Sequence, residues 1–219
     1  MKQTTGDVVA WSVRLSQTTL NLLRECERCF WLHLHGVRRP GGPEGSWSTV
    51  TRGLDTVISH YCATYRNQDD LPPLLRHLGG RLVTVQIGPH LDPDTGLTLV
   101  DRLSECLEVS DGLFAPLDHK VRGWAPNGVS DADQLQLDVY TLLLAENGYP
   151  AAGYGVLVYY VPMDGELHRG FPFRVCIRNV DTDAGRARTW LRRARAVLDM
   201  PAPPDASPDC AYCGTAPLA

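Results

Sequence analysis

The alternation of apolar and polar residues predicts two helices in the first third of the chain. From Ser16 to about His35, apolar residues recur with helical spacing. Ser16 is a suitable N-cap and Gly36 a suitable residue to follow the helix end. A second helix is predicted over about 50–65, beyond a glycine- and proline-rich loop at 37–48.

Strand-like segments then alternate with two more helices. Residue composition predicts strands at 81–87, 97–109, 113–121, 153–161 and 172–177, with hairpin turns at 110–112 and around 164–165. Helices are predicted over 131–147 and 181–199, and a proline-rich run at 200–209 follows. This order predicts one domain over 1–219, of the α/β or α+β class, with a mixed sheet flanked by helices.

Composition indicates how this domain is stabilised, where in the cell it is expected and how it could bind nucleic acid. With 219 residues, 43% of them hydrophobic, the chain can bury a core without disulfide bonds. No apolar run reaches the roughly 18–20 residues that a membrane span needs, and no secretory signal is visible, so we expect a cytoplasmic protein without a membrane partner. The net charge is −4, so any nucleic acid must be bound by a local basic patch.

The cysteines give the strongest local signal. Four of the seven form two C-x-x-C pairs, Cys26/Cys29 and Cys210/Cys213. In a reducing compartment such pairs indicate a metal site, here a tetrahedral four-thiolate site suited to Zn²⁺ or a [4Fe–4S] cluster. The segment 200–219 would then fold back onto the first helix. The remaining cysteines are expected in the core: Cys62, Cys106 and Cys176.

Charged residues gather at the end of the hairpin predicted between the second and third strands. If Glu108 faces Leu113, Asp101 faces Lys120 and Asp118 lies diagonally across from Asp101, with all three side chains on one face. Two carboxylates beside an ammonium could hold Mg²⁺ or Mn²⁺ with a cation next to it. Lys120 stands out further, because only two of the 21 basic residues are lysines.

Two helices carry further candidate residues. Gln136 and Tyr140, four residues apart, share a helix face and could contact a phosphate backbone or orient a catalytic group. On the last helix, Arg188, Arg192 and Arg195 also share a face. That stripe could contact DNA phosphates or could be a solvated arginine face.

These motifs together resemble the RecB-type branch of the PD-(D/E)XK nuclease superfamily. The resemblance covers about residues 14–214 and rests on a cysteine-aromatic helix (Cys26-Glu-Arg-Cys-Phe-Trp), Asp101, the D-x-K motif at 118–120, the Q-x-x-x-Y motif at 136–140 and the closing C-x-x-C. The sequence is similar to small iron–sulfur exonucleases associated with CRISPR spacer acquisition, to AddB-type nuclease domains and to stand-alone bacterial PD-(D/E)XK proteins.

The resemblance implies a restriction-endonuclease-like fold and metal-dependent cleavage of single-stranded or end-bearing DNA, with a helicase or integrase as a possible partner. It makes Asp101, Asp118 and the main-chain carbonyl of His119 metal ligands, and Lys120 the catalytic lysine. Gln136 and Tyr140 match the family's Q-x-x-x-Y motif. The four paired cysteines would hold a [4Fe–4S] cluster, with zinc as the alternative.

The sequence departs from that family at two points. RecB-type enzymes place a metal-binding histidine on the second helix, where this chain has Asp55, with His60 five residues later. Asp55 is the expected ligand, because a carboxylate suits Mg²⁺, and His60 is the alternative. The cysteines are arranged two plus two rather than one plus three. These departures keep two alternatives open: a catalytically inactive nuclease fold that binds DNA or docks to a partner, and a zinc-clasped adaptor.

Overall fold

Two mixed sheets flanked by five helices make up the part of the chain that this computed structural model describes, residues 13–37, 39, 49–166, 168 and 170–213. The predicted mixed α/β class is therefore confirmed. The helices are α1 (Gln17–Glu25), α2 (Glu27–Leu34), α3 (Thr49–Ala63), α4 (Asp131–Glu146) and α5 (Ala184–Leu198). The strands are β1 (Arg14–Leu15), β2 (Arg81–Val83), β3 (His90–Leu91), β4 (Thr98–Leu99), β5 (Glu105–Glu108), β6 (Phe114–Val121), β7 (Tyr154–Pro162) and β8 (Phe173–Asp181).

The larger sheet has the strand order β2-β5-β6-β7-β8. Strands β6 and β7 are parallel, and the other neighbouring pairs are antiparallel. Helix α4 connects the two parallel strands and packs on one face of the sheet, and α1 and α5 pack on α4. Helix α3 packs on the other face. The smaller sheet, β1-β4-β3, was not predicted.

Successive residues of β6 point to opposite faces of the larger sheet. Leu117 belongs to the apolar cluster that also contains Cys62 of α3. Asp118, the next residue, instead meets α4, where it accepts a hydrogen bond from Gln136. The strand therefore carries its charged side chains on the α4 face and apolar ones on the α3 face.

The register of β5 against β6 differs by one residue from the predicted hairpin. Glu108 pairs with Phe114 rather than with Leu113. The cause is the turn: the Val109 N–H donates to the Leu113 carbonyl at 2.9 Å, which closes a five-residue loop. Strand β5 begins only at Glu105, so Asp101 lies in an irregular segment and does not pair with Lys120 as predicted.

The helix predicted from Ser16 to His35 is two helices, because Cys26 interrupts it. Cys26 has an extended backbone (φ −163°, ψ 113°) and is the N-cap residue of α2. Cys29 follows one turn later, so the interruption places both thiols at the start of α2. The Ser16 cap is confirmed, since its side chain accepts a hydrogen bond from the Thr19 N–H.

Other predicted strands are shorter in the structure or are divided in two. Of the predicted strand 81–87 only β2 remains, and 97–109 divides into β4 and β5. Most of the predicted loop at 37–48 lies outside the described residues. None of the helices in the described ranges combines the length and apolar character that crossing a bilayer requires.

A buried carboxylate fixes α5 against α4. Asp138 of α4 accepts two hydrogen bonds from Arg186, both at 2.8 Å, and one from the Asp183 N–H at 2.8 Å. Asp183 is itself the N-cap of α5. The start of α5 is thereby tied to the middle of the helix that carries Gln136.

The backbone at Gly80 packs too closely on β5 to accept a side chain. Gly80 has φ +78°, and an added Cβ would lie 2.2 Å from the Glu108 carbonyl oxygen. Gly148 has a similar φ of +83° with nothing within 4 Å, so it is a matched control. We expect Gly148→Ala to lower the free energy of unfolding by about 1 kcal/mol, the backbone cost alone.

Gly80→Ala should lower the free energy of unfolding by at least about 2 kcal/mol, because the steric overlap with the Glu108 carbonyl adds to the backbone cost. Urea denaturation of both variants and the wild type measures the difference. Equal losses in the two variants would contradict the close approach of Gly80 to β5.

Candidate functional site

A cleft of about 1250 Å³ opens beside the start of β5 and the end of β6. Its walls come from α1, α3, α4, β6 and the segments around β2 and β5. Both signs of charge line it. The acidic residues are Asp55, Asp101, Glu105, Asp118 and Asp133, and the basic ones include Arg52, Arg66, Arg102, Lys120 and Arg122.

The centre of this cleft is an ion pair on β6. Lys120 Nζ lies 2.7 Å from Asp118 Oδ2 and donates a hydrogen bond to Gln136 Oε1 at 2.5 Å. Asp118 is buried, and its Oδ1 accepts hydrogen bonds from Gln136 Nε2 at 3.1 Å and from Ser104 Oγ at 3.2 Å. Its Oδ2 is buried and accepts no hydrogen bond of good geometry, despite the nearby ammonium.

Gln136 links this ion pair to Tyr140. The Q-x-x-x-Y spacing predicted that these two side chains share one face of the helix. Gln136 Nε2 donates to the Tyr140 hydroxyl at 2.8 Å. Burial, followed by the negative charges of Asp118 and Asp101, raises the pKa of Tyr140, so its hydroxyl stays neutral. The structure thus brings four predicted residues into one network of side chains: Asp118, Lys120, Gln136 and Tyr140.

Asp101 is held in the cleft by hydrogen bonds from backbone N–H groups and not by the strand pairing that was predicted. Its Oδ2 accepts a hydrogen bond from the Gln17 N–H at 2.7 Å, and its Oδ1 accepts one from the Arg102 N–H at 2.9 Å. The first contact lies at the N-terminus of α1, where the helix dipole favours a carboxylate. Burial raises the pKa of Asp101, and the charge of Asp118 raises it further.

Asp55, on α3, belongs to the same electrostatic group. Burial raises the pKa of Asp55, the charge of Asp118 raises it further, and Lys120 opposes both. Asp55, Asp101 and Asp118 therefore all line the cleft, and the charge of Asp118 raises the pKa of the other two. His60 also lines the cleft, but it is exposed.

The His119 side chain points away from this group, toward α3. Its Nε2 lies 3.5 Å from Cys62 Sγ, and its Nδ1 lies 3.2 Å from the Tyr160 hydroxyl. Burial lowers the pKa of His119 to about 4, so the ring is neutral near pH 7. The metal ligand predicted from His119 is not this side chain but the main-chain carbonyl, and His119 stands between Asp118 and Lys120 in β6.

Two side chains that contact the Lys120–Asp118 ion pair were not predicted from the sequence. Asp133 Oδ1 lies 3.5 Å from Lys120 Nζ and accepts a hydrogen bond from Arg122 at 3.1 Å. Ser104 donates to Asp118. Asp133 could have been found, because it lies three residues before Gln136 and so shares its helix face. Ser104 follows an irregular segment that has no such periodic signal.

The four paired cysteines come together, as their spacing predicted. The Sγ–Sγ distances are 3.8 Å for Cys26 and Cys213, 3.6 Å for Cys29 and Cys210, and 3.4 Å for Cys29 and Cys213. All four sulfur atoms lie within 4.8 Å of one another, so they could hold a metal. Four thiolates at 2.3 Å from one tetrahedral ion would be about 3.8 Å apart.

The surroundings of this centre act differently on its four thiols: the pKa is lowered at Cys26 and Cys210, whereas burial raises it at Cys29 and Cys213. Burial raises the pKa of Cys26, but hydrogen bonds from Ser207 and from the Cys29 backbone outweigh it and lower the pKa to about 6. The Arg39 guanidinium lies 3.8 Å from Cys210 Sγ and stacks on Tyr212, 4.4 Å from the ring centroid. Its positive charge offsets part of the negative charge that four thiolates and one divalent ion would leave.

The arginine stripe of α5 lies outside the cleft. Arg188 forms ion pairs with Asp92, at 3.5 Å, and with Glu146, and Arg195 Nε donates to Asp199 at 3.0 Å. Arg192 donates to Thr189 at 2.9 Å. Two of the three arginines thus have intramolecular carboxylate partners, and their predicted contact with DNA stays a prediction.

Comparison with known proteins adds little to this geometry. No protein-family model matches the sequence, and no curated protein is similar to it at a significant level. Among solved structures, the crystal structure of a protein named SSO0001 matches with a TM-score of 0.45 and 14% sequence identity, over 84% of this chain and 75% of that chain. A match of this quality does not identify a fold family or a function.

The four-cysteine centre should contribute to folding itself. We expect Cys210→Ala/Cys213→Ala to abolish metal binding at this centre and to lower the melting temperature by about 10 °C. The reason is that the bound metal stabilises the folded state by several kcal/mol, each worth about 2–4 °C in a chain of this size. Elemental analysis and a thermal melt provide the two measurements.

Cys176→Ala is the matched control, because Cys176 lies outside the centre. It should leave metal content unchanged. An unchanged metal content in the double variant would contradict the assignment of these cysteines as ligands.

Proposed function

We propose that this protein is a metal-dependent DNA nuclease with a restriction-endonuclease-like fold. The observation that carries the proposal is the placement of the Lys120 ammonium between the Asp118 carboxylate and the Gln136 amide, in a cleft shared with Asp101 and Asp55. The parallel β6–β7 pair, with helices on both faces of the sheet, supports the fold that the sequence resemblance implies.

A divalent cation fits the carboxylate end of the cleft. Mg²⁺ and Mn²⁺ prefer oxygen ligands, and the like charges of Asp55, Asp101 and Asp118 favour an ion that neutralises them. Asp118, the most buried of the three, is the carboxylate that we expect to coordinate it. When bound, the ion would polarise a phosphoryl oxygen and activate a water as the nucleophile. The main-chain carbonyl of His119 could complete the ligand set.

Lys120 would stabilise the negative charge that develops on the phosphate. An ammonium has three donor hydrogens, and the contacts with Asp118 and Gln136 fix its direction. Gln136 is held in turn by Tyr140, so the ammonium is positioned before the substrate binds. Preorganised charge of this kind lowers an activation barrier without reorganisation during the reaction.

The arginines of the cleft are better placed than those of α5 to contact the DNA backbone. Arg52 and Arg102 line the cleft and are exposed. Arg122 lines it as well and donates to Asp133. Neutralising phosphates supplies most of the affinity of nonspecific DNA binding, so a local basic rim is sufficient despite the net charge of −4. Single-stranded or end-bearing DNA is the substrate that we propose.

Nuclease activity should depend on Lys120 and on a divalent ion. We expect the wild type to cleave labelled single- or double-stranded DNA with Mn²⁺ and to lose this activity with EDTA. Lys120→Ala should reduce cleavage at least about 100-fold, the size of effect seen when one stabilising donor is removed, while DNA binding persists. Asp118→Ala should lose both cleavage and the divalent ion.

Asp131→Ala is the matched control, because Asp131 is an exposed aspartate at the start of α4. It should cleave like the wild type. Undiminished cleavage by Lys120→Ala would show that the site is assigned wrongly. A wild type that binds DNA but cuts under none of these conditions would favour the inactive DNA-binding alternative.

For the four-cysteine centre we propose a single Zn²⁺ rather than the [4Fe–4S] cluster. The three sulfur–sulfur distances of 3.4–3.8 Å suit thiolates around one tetrahedral ion. A cluster of four iron atoms would hold its thiolates much further apart, since each sulfur binds a different iron.

The purified protein should therefore be colourless, and the four-cysteine centre should contribute one zinc ion per chain. Absorption spectroscopy and elemental analysis of the same sample test this. A brown protein with a broad band near about 400 nm and iron as its main metal would contradict the zinc assignment.

A further inference from the structure

A third group of possible metal ligands lies on the α3 face of the sheet, opposite the Lys120 ion pair. It consists of Cys62 of α3, Glu105 of β5 and His119 of β6, whose ligand atoms all lie within 4.8 Å of one another. Cys62 and Glu105 are buried, and His119 is half-buried. We propose that these three side chains bind one Zn²⁺ ion, separate from the carboxylate site and from the four-cysteine centre.

The distance between the sulfur and the imidazole nitrogen fits a shared ion. Cys62 Sγ and His119 Nε2 are 3.5 Å apart. In a tetrahedral zinc site with Zn–S about 2.3 Å and Zn–N about 2.0–2.1 Å, these atoms would be about 3.5 Å apart. The pair therefore needs no rearrangement to hold the ion, and a ligand oxygen of Glu105 lies within 4.8 Å of both atoms.

His119 and Glu105 are each oriented by a neighbouring side chain, as metal ligands commonly are. Tyr160 contacts His119 Nδ1 at 3.2 Å, which leaves Nε2 directed at Cys62. Arg66 donates to the two oxygens of Glu105 at 2.8 and 2.5 Å. A carboxylate has about four acceptor positions, so Arg66 can stay in place while Glu105 coordinates the ion.

The donor set selects the metal. One sulfur, one imidazole nitrogen and one carboxylate oxygen suit Zn²⁺ better than Mg²⁺, which prefers oxygen ligands alone. On binding, the Cys62 thiol loses its proton to solvent as the sulfur–zinc bond forms. Glu105 and His119 also line the cleft, so an ion can enter from solvent and keep a fourth position open for water.

This ion would fasten α3 to the sheet. Cys62 is on the last turn of α3, seven residues after Asp55, so the two side chains lie on the same side of the helix about two turns apart. Coordination would join that turn to β5 and β6. The helix that presents Asp55 to the cleft would thereby be held at its far end.

The zinc content of two cysteine variants tests the proposal. The full chain is stripped with a chelator and then dialysed against micromolar Zn²⁺ with millimolar Mg²⁺, which competes at the carboxylate site. Cys62→Ala should hold about one zinc ion fewer per chain than the wild type. Cys106→Ala, which removes a buried cysteine of β5 from the opposite face, should match the wild type.

Equal zinc content in Cys62→Ala and the wild type would overturn the proposal. Comparison with the wild type makes the result independent of the metal at the four-cysteine centre and of nuclease activity. If Cys62→Ala does not purify folded, Cys62→Ser replaces it, because a hydroxyl is similar in size but a poor zinc ligand. That variant must lose the same ion, and its failure to do so would overturn the proposal equally.

Discussion

The buried contact between Lys120 and Asp118 is the interaction on which the arrangement of the cleft depends. Charges inside a protein are stable only when they are paired and hydrogen-bonded, and Gln136 bonds to both partners. The chain topology makes this possible, because α4 is the crossover between the parallel strands β6 and β7 and so lies against the charged face of β6. The opposite face of the same strand carries His119 toward α3. One strand thus contributes to two chemically different sites.

Periodicity predicted the parts of the cleft that lie within one element. A spacing of two put Asp118 and Lys120 on one face of a strand, and a spacing of four put Gln136 and Tyr140 on one face of a helix. Both arrangements are independent of how the elements pack. The position of Asp101 was predicted from a register that is wrong by one residue. It still reaches the cleft, because the N-terminus of α1 holds its carboxylate.

Features that depend on distant contacts gave no sequence signal. The extended backbone at Cys26 divides a segment whose composition is helical throughout. The group of Cys62, Glu105 and His119 is assembled from three elements, so no spacing marks it. The paired cysteines were found because each C-x-x-C is a local pattern with few other uses.

The most direct test of the account is the position of a divalent ion in the cleft. Crystals of the protein grown with Mn²⁺ would be measured at the manganese absorption edge, where anomalous scattering locates the ion. We expect a peak within about 2.5 Å of carboxylate oxygens of both Asp101 and Asp118, beside the Lys120 ammonium. Absence of manganese from the cleft, or a peak that contacts neither aspartate, would contradict it.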